Sequence, residues 1–101
     1  MSMSEYKSKL QCIQMDYLCK AILSLKDKEE CYRFFEDIFT INELKSIEQR
    51  LQVAKMLKQK KTYTEIAKET GASTATISRV NRCLNYGSDG YNVVLERIKW
   101  E

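Results

Sequence analysis

Hydroxyl and guanidinium groups are concentrated between residues 73 and 82, in the stretch Ser-Thr-Ala-Thr-Ile-Ser-Arg-Val-Asn-Arg. These groups form hydrogen bonds and bind anions, but a hydroxyl becomes a nucleophile only when a base activates it. The chain has no histidine, and its sequence offers no convergent carboxylate pair and no glycine-rich phosphate loop. The stretch is therefore suited to recognising a polar or anionic surface, and an enzyme is the least favoured class.

Two short helical patterns on either side of Gly71 hold these groups in place. Two helices that cross closely need a small residue at their contact, which Ala67 supplies, and a chain reversal at positive φ, which Gly71 supplies. Ser73 is placed to cap the second helix. The apolar side of the two patterns consists of Ile66, Ala67, Ala72, Ile77 and Val80. This spacing is typical of a helix-turn-helix whose second helix exposes a hydroxyl-rich face that ends in Arg79.

Such a helix fits the major groove of DNA, where hydroxyls and arginine reach base edges and phosphates. The basic and hydroxyl residues at the start of the motif would contact phosphates, and the second helix would contact base edges. The predicted DNA-binding residues are Lys58, Lys60, Lys61, Thr62, Thr64, Ser73, Thr74, Ala75, Thr76, Ser78, Arg79 and Arg82. One alternative is a helical hairpin whose polar face meets only water. The other is a helical protein-interaction module, in which the helix-turn-helix docks on another protein without specific DNA readout.

The charge distribution favours a nucleic-acid partner more than the total charge does. The net charge of +3 is only mildly basic. Residues 50–86, however, include eight Lys or Arg residues and two Glu residues. Residues 26–49 include four basic and seven acidic residues. Positive charge therefore collects around the predicted DNA-reading unit. Lys58, Lys60 and Lys61 taken alone are also compatible with an ordinary solvated face.

Length and composition bound the remaining possibilities. A chain of 101 residues with 44% apolar residues can form one domain with a modest core. It buries only about 60–65% of its unfolded surface, so a core shared with a second copy would add stability. Four cysteines without a C-x-x-C pair disfavour a zinc site. No signal-like start and no apolar run of about 20 residues are present, so we expect a cytoplasmic protein with reduced thiols and no membrane partner.

Helical spacing predicts an all-α fold with six helices. The first runs from about Glu5 to Leu25 and is apolar on two sides, which a partner subunit would cover. One side carries Leu10, Ile13, Tyr17, Ala21 and Leu25, and the other carries Cys12, Met15, Cys19 and Ile22. The second helix, capped by Asp27, has a core face of Cys31, Phe34, Phe35 and Ile38.

Two capping boxes mark the next helix starts. Thr40 with Glu43 begins the third helix, which runs to about Lys58, and Thr62 with Glu65 begins the fourth. The predicted inward face of the third helix consists of Leu44, Ile47, Leu51, Ala54 and Leu57. After the glycine-containing turn at residues 87–90, Asp89 is placed to cap a last short helix. That helix carries Val93, Val94, Leu95 and Ile98, and Trp100 follows as a docking anchor.

The chain resembles the tryptophan-repressor superfamily, in particular its YerC/YecD-type branch. The resemblance is strongest over residues 39–44, 49–51, 65–67 and 71–79. It implies an intertwined homodimer whose N-terminal helices interlock and whose two reading helices enter successive major grooves. We assign residues 1–58 to dimerisation helices, 62–84 to the helix-turn-helix and 89–99 to the C-terminal helix of a single domain, 1–101. The expected function is sequence-specific transcriptional regulation by a homodimeric repressor. It would bind palindromic operators with half-sites about one helical turn apart.

The resemblance also implies a ligand pocket. Classical members hold free tryptophan between two arginines, and the matching positions are Arg50 and Arg79, with Thr76 beside them. Val80 stands where the classical pocket has a glycine and would crowd the indole, and Cys83 replaces a serine and is a poor hydrogen-bond partner. We therefore expect no obligatory cofactor, while a small co-repressor stays open. Alternatively, Arg50 and Arg79 bind DNA phosphates or form ion pairs within the dimer.

Overall fold

The structure, a computed structural model, describes residues 5–98. Over this range the chain forms six α-helices and no strand, which confirms the predicted all-α class. The helices are α1 (Ile13–Leu23), α2 (Lys28–Ile38), α3 (Ile41–Lys58), α4 (Tyr63–Thr70), α5 (Thr74–Tyr86) and α6 (Gly90–Arg97). They belong to two compact units, the first ending at Ile38 and the second beginning at Phe39.

Helix α1 is shorter than the predicted span from Glu5 to Leu25. Ahead of it, the Ser8 hydroxyl accepts a hydrogen bond of 3.0 Å from the Leu10 backbone N–H, a local bond that competes with helix formation. The Cys12 thiol then caps α1 by accepting from the Met15 N–H at 3.4 Å. Leu10 therefore precedes the helix. Leu25 follows the C-cap residue Ser24, so the predicted apolar stripe is shortened at both ends.

No side chain of α1 or α2 is buried. On α1, Ile13 and Leu23 are each 84% exposed and Tyr17 is 74% exposed. The predicted core face of α2 is not fully buried, because Cys31, Phe34 and Phe35 are half-buried and Ile38 is 47% exposed. Over the described residues, both helices therefore keep apolar side chains exposed.

The cap predicted for α2 is confirmed. The Asp27 carboxylate accepts a hydrogen bond of 2.9 Å from the Glu30 N–H. The Glu30 carboxylate accepts in turn from the Lys26 N–H at 2.8 Å, so two backbone donors at the helix start are satisfied reciprocally.

The hydrophobic core lies in the second unit, where α3 packs against α4, α5 and α6. Its buried members are Val53, Ala54, Met56, Ile66, Ala72, Ile77, Val80 and Leu95. All apolar positions predicted for the helix-turn-helix belong to this core except Ala67, which is half-buried and packs against it. The helix-turn-helix is therefore attached to α3 by its entire apolar side.

The predicted inward face of α3 is correct only in part. Ala54 is fully buried and Leu57 packs against the core, but Ile47 and Leu51 are 43% and 38% exposed. Buried side chains of α3 occur only from residue 53 onwards, because the other helices of this unit cover its C-terminal half. Leu44 is half-buried, so the N-terminal part of the predicted stripe is only partly accessible.

Both predicted capping boxes are confirmed. At α3, the Thr40 hydroxyl accepts from the Glu43 N–H at 3.1 Å, and the Glu43 carboxylate accepts from the Thr40 N–H at 2.9 Å. At α4, Thr62 and Glu65 form the same pair of bonds. Asp89 occupies the N-cap position of α6, but its side chain forms no capping bond and instead accepts from the Asn92 amide at 2.9 Å.

Among the described helices, none has both the length and the apolar composition that a membrane crossing requires. Trp100 and residue 99 of the predicted C-terminal helix lie outside the described range.

Candidate nucleic-acid interface

The turn between α4 and α5 has the predicted geometry. Gly71 adopts a left-handed conformation, with φ of 75°, and its N–H donates to the Ala67 carbonyl at 2.9 Å. Ser73 caps α5 by accepting from the Thr76 N–H at 3.1 Å. Because an L side chain at Gly71 would be strained at this φ, glycine is what allows the two helices to follow each other so closely.

Helix α5 has one buried side and one exposed side. Ile77 and Val80 are 0% and 1% exposed and hold the helix against the core. The opposite side exposes the predicted base-reading residues of its first turns, namely Thr74, Ala75, Ser78 and Arg79. Within the described residues, the side chains of Thr74, Ser78 and Arg79 form no hydrogen bond or ion pair, so their polar groups are available to a ligand.

At the start of α5, two of the predicted DNA-binding hydroxyls already have partners. The Ser73 and Thr76 hydroxyl oxygens lie 3.1 Å apart, and Ser73 also accepts the capping bond. Thr76 is only half-exposed. These two residues therefore stabilise the start of α5, while Thr74 and Ser78 carry the freer hydroxyls.

The basic residues before α4 differ in their surroundings. The Lys58 ammonium donates to the Asn92 side-chain oxygen at 2.8 Å, and the Lys61 ammonium lies 4.0 Å from the Glu65 carboxylate. Lys60 has a left-handed backbone, with φ of 65°. All three residues are exposed, and so are Thr64 and Arg82.

The Thr62 hydroxyl serves the N-terminus of α4. It accepts from the Glu65 N–H at 3.1 Å and donates to the Glu65 carboxylate at 3.1 Å. Its predicted role as a phosphate contact would compete with this cap.

Three of the five predicted ligand-pocket residues meet at one cavity between α3 and α5. This cavity has a volume of about 220 Å³, and its lining consists of Ser46, Gln49, Arg50, Ala75, Thr76 and Arg79. The Arg50 guanidinium donates to the Ser46 hydroxyl at 3.0 Å. The predicted pair of arginines thus lines a shared space.

The other two predicted pocket residues lie elsewhere. Cys83 shares with Arg50 a separate open groove of about 610 Å³, which also contains Leu51 and Tyr91. Burial raises the pKa of Tyr91 above its ordinary value, an effect that the Arg50 charge opposes. Val80 is 1% exposed and belongs to the core, and it is not among the residues that line the cavity shared by Arg50, Thr76 and Arg79.

Two residues that sequence reasoning missed connect the elements of this unit. The Gln49 side-chain amide donates to the Thr70 carbonyl at 3.1 Å, and the Asn92 amide donates to the Leu84 carbonyl at 3.0 Å. Gln49 is 21 positions from its partner in the chain, so no local sequence signal indicates the contact. For Asn92, only its place three residues after the Asp89 cap pointed to a polar role.

Comparison with known proteins identifies the group to which this arrangement belongs. Residues 13–99 match the family described as Trp repressor protein. This chain belongs to the Trp repressor protein family. Within it, the uncharacterized protein YerC of Bacillus subtilis (strain 168) is 62% identical over 91 residues, which cover 90% of this chain and 88% of YerC. The predicted membership of the superfamily and of its YerC-type branch is thereby confirmed.

Solved structures from the Trp repressor family share the fold. A TrpR like protein from Eubacterium eligens ATCC 27750 is 62% identical, with a TM-score of 0.85 over 88% of this chain and 92% of that chain. A candidate Trp repressor from Staphylococcus aureus is 56% identical, with a TM-score of 0.84 over 88% of this chain and 89% of that chain. The TrpR-like fold is confirmed. Family and fold together indicate a DNA-binding regulator in a non-enzymatic family.

Proposed function

We propose that this protein is a homodimeric transcriptional repressor that binds a palindromic DNA operator through α5. The observation that carries the proposal is the exposed first half of α5. Its hydroxyls at Thr74 and Ser78 and its guanidinium at Arg79 have no partner in the described chain, while Ile77 and Val80 fix the helix from behind. A rigid helix with unpartnered donors on its outer side suits hydrogen bonding to base edges and phosphates.

Charge supports the same assignment. The segment from residue 50 to 86 carries a net charge of +6, and it contains the whole helix-turn-helix. Lys60, Lys61 and Arg82 are exposed and would contact phosphates on either side of the groove that α5 enters. Lys58 keeps two further ammonium hydrogens beyond the one bonded to Asn92, so it too can reach a phosphate.

The exposed apolar faces of the first unit support a homodimer. A folded chain rarely leaves residues such as Ile13, Tyr17 and Leu23 largely exposed unless another molecule covers them. A second copy would cover them symmetrically and would present two α5 helices. Two such helices would engage half-sites about 34–36 Å apart, one turn of DNA.

A small effector would fit beside α5, in the cavity that Arg50 and Arg79 share. Its two guanidinium groups favour a ligand that carries a carboxylate or another anionic group, and the carboxylate of tryptophan makes this amino acid one candidate. Selection of duplexes with and without added amino acids would reveal whether any of them changes the affinity.

The decisive experiment is selection of bound duplexes from a random pool, followed by titration of the selected duplex. We expect a recurring palindrome, and affinity that falls steeply with salt because phosphate contacts release counterions. The variant Arg79→Ala should lose specific affinity by about tenfold to a hundredfold while its binding to a scrambled duplex changes little. Arg33→Ala is the matched control, because Arg33 is exposed on α2 and its side chain, within residues 5–98, pairs only with Glu29.

Two results would contradict the proposal. If the selected duplexes share no common sequence, or if the chain binds no duplex at low salt, the protein-docking alternative is favoured. Equal losses of specific and scrambled binding in Arg79→Ala would remove Arg79 from the base-reading set.

A further inference from the structure

We propose that Gln49 is a positioning residue for DNA recognition, which holds the turn of the helix-turn-helix at one place on α3 and so sets the angle at which α5 meets the duplex. The inference rests on the proposed function and deepens it. It begins from one bond: the Gln49 side-chain amide donates to the Thr70 carbonyl at 3.1 Å.

Thr70 lies where a hydrogen bond from Gln49 can fix the position of the turn. It is the last residue of α4, where carbonyl groups lack partners within the helix. Its hydroxyl donates to the Ile66 carbonyl at 2.7 Å and accepts from the Ala72 N–H at 3.1 Å. Thr70 therefore connects the end of α4 to the residue that precedes the cap of α5, and Gln49 connects this assembly to α3.

The position of Gln49 extends its influence to α5. Its side chain lines a polar groove with Thr70 on one side and the cavity containing Ala75, Thr76 and Arg79 on the other. It thus lies between α3, the turn and the first turns of the reading helix. A substitution at Gln49 would therefore shift the residues proposed to face DNA, while those residues themselves stay unchanged.

Gln49 adds a directional bond to an attachment whose buried side chains, among the described residues, are all apolar. Burial of Ile66, Ile77 and Val80 holds the helix-turn-helix against α3, but the hydrophobic effect has no direction and tolerates small rotations. A hydrogen bond weakens steeply when its angle departs from linearity. Base-edge contacts require an accurately placed helix, whereas phosphate contacts by flexible lysines do not. Loss of the Gln49 bond should therefore reduce selectivity more than overall affinity.

The experiment compares Gln49→Met with Gln52→Met. Methionine has a length similar to that of glutamine but no donor, and Gln52 is an exposed α3 residue whose side chain forms no hydrogen bond within the described range. Each variant is titrated with the duplex selected by the wild-type chain and with a scrambled duplex. We expect Gln49→Met to bind the selected duplex about tenfold more weakly, with scrambled binding within about twofold of wild type and Gln52→Met unchanged on both.

Amide hydrogen exchange gives a second readout that does not use DNA. The Ala72 N–H, which donates to Thr70, should exchange about tenfold faster in Gln49→Met and at the wild-type rate in Gln52→Met. Should Gln49→Met not fold, Gln49→Glu replaces it, because a carboxylate has similar length but cannot donate to the Thr70 carbonyl.

The outcomes separate this inference from the function on which it rests. The positioning role is overturned if a folded Gln49 variant keeps the wild-type ratio between its affinity for the selected duplex and its affinity for the scrambled duplex. This holds even if the variant melts at a lower temperature. An equal effect of Gln52→Met overturns it as well. A wild-type chain that binds no duplex overturns the proposed function and this inference together.

Discussion

The Lys58 ammonium, at the C-terminal end of α3, donates a hydrogen bond of 2.8 Å to the side-chain oxygen of Asn92 on α6. The Asn92 amide donates in turn to the Leu84 carbonyl of α5 at 3.0 Å and to the Asp89 carboxylate at 2.9 Å. One half-buried side chain therefore links three helices of the second unit. The sequence assigned Lys58 to a DNA phosphate or to a solvated face, whereas in the fold it also bonds to α6.

Replacement of Asn92 by alanine should lower the free energy of unfolding by about 1–2 kcal/mol, because the part-buried Leu84 carbonyl would lose its partner. Urea unfolding at fixed protein concentration measures the change. Asn85→Ala is the matched control, since the Asn85 amide bonds only to Asn81 within the same helix, and its effect should stay within about 0.5 kcal/mol. Similar losses in the two variants would contradict the linking role of Asn92.

Alanine substitutions at the two glycines that follow α5 should have opposite effects on stability. At Gly87 a Cβ would lie 2.5 Å from the Cys83 carbonyl oxygen, so Gly87→Ala should lower the free energy of unfolding by about 1–3 kcal/mol. At Gly90, the first residue of α6, a Cβ meets nothing within 4 Å. Gly90→Ala should therefore raise stability by up to about 1 kcal/mol through helix propensity. Thermal unfolding of both variants tests the pair, and destabilisation by Gly90→Ala would contradict the open space there.

The Glu43 carboxyl in the first turn of α3 should make the stability of the protein depend on pH. Hydrogen bonds from the Thr40 backbone N–H and then from its side chain lower the pKa of Glu43 from its ordinary value of 4.5. A lowered pKa in the folded state means that this contribution is fully present above pH 4.5 and is lost as the pH falls through the folded value. Denaturant titrations between about pH 3 and about pH 6 should show this loss in wild type.

Glu43→Gln serves as the control for that titration, because it keeps an acceptor for the Thr40 N–H but does not titrate. Its stability should depend less on pH over the same range than that of wild type. Parallel pH profiles for the two proteins would show that the capping carboxylate does not contribute.

A charge on the exposed apolar face of α1 should shift the proposed dimer towards monomers. Tyr17 is 74% exposed in the protomer, so Tyr17→Asp costs a single chain little but would bury a carboxylate at an interface. Sedimentation across a range of concentrations should give a dimer dissociation constant at least about tenfold higher than that of wild type. Gln11→Asp introduces the same charge just before α1 and should behave as wild type. A wild-type chain that stays monomeric at micromolar concentration would contradict the dimer.

Local interactions account for the parts of this protein that its sequence predicted well. The capping pairs of Thr40 with Glu43 and of Thr62 with Glu65 join residues three positions apart, so their geometry follows from helix formation alone. The positive φ of Gly71 is fixed by the turn in the same way. Sequence reasoning extended α1 too far because a periodic apolar pattern does not show that the Ser8 hydroxyl holds the preceding turn.

The chain by itself determined where α3, α4 and α5 begin and which side of the helix-turn-helix is apolar, since each depends on residues close in sequence. Tertiary structure decided which half of α3 is buried and which polar groups stay available on α5. It also decided that Gln49 and Lys58 connect helices, because their partners lie 21 and 34 positions away and only packing brings them together. A sequence lists donors and acceptors, but folding determines which of them are used within the protein and which stay exposed.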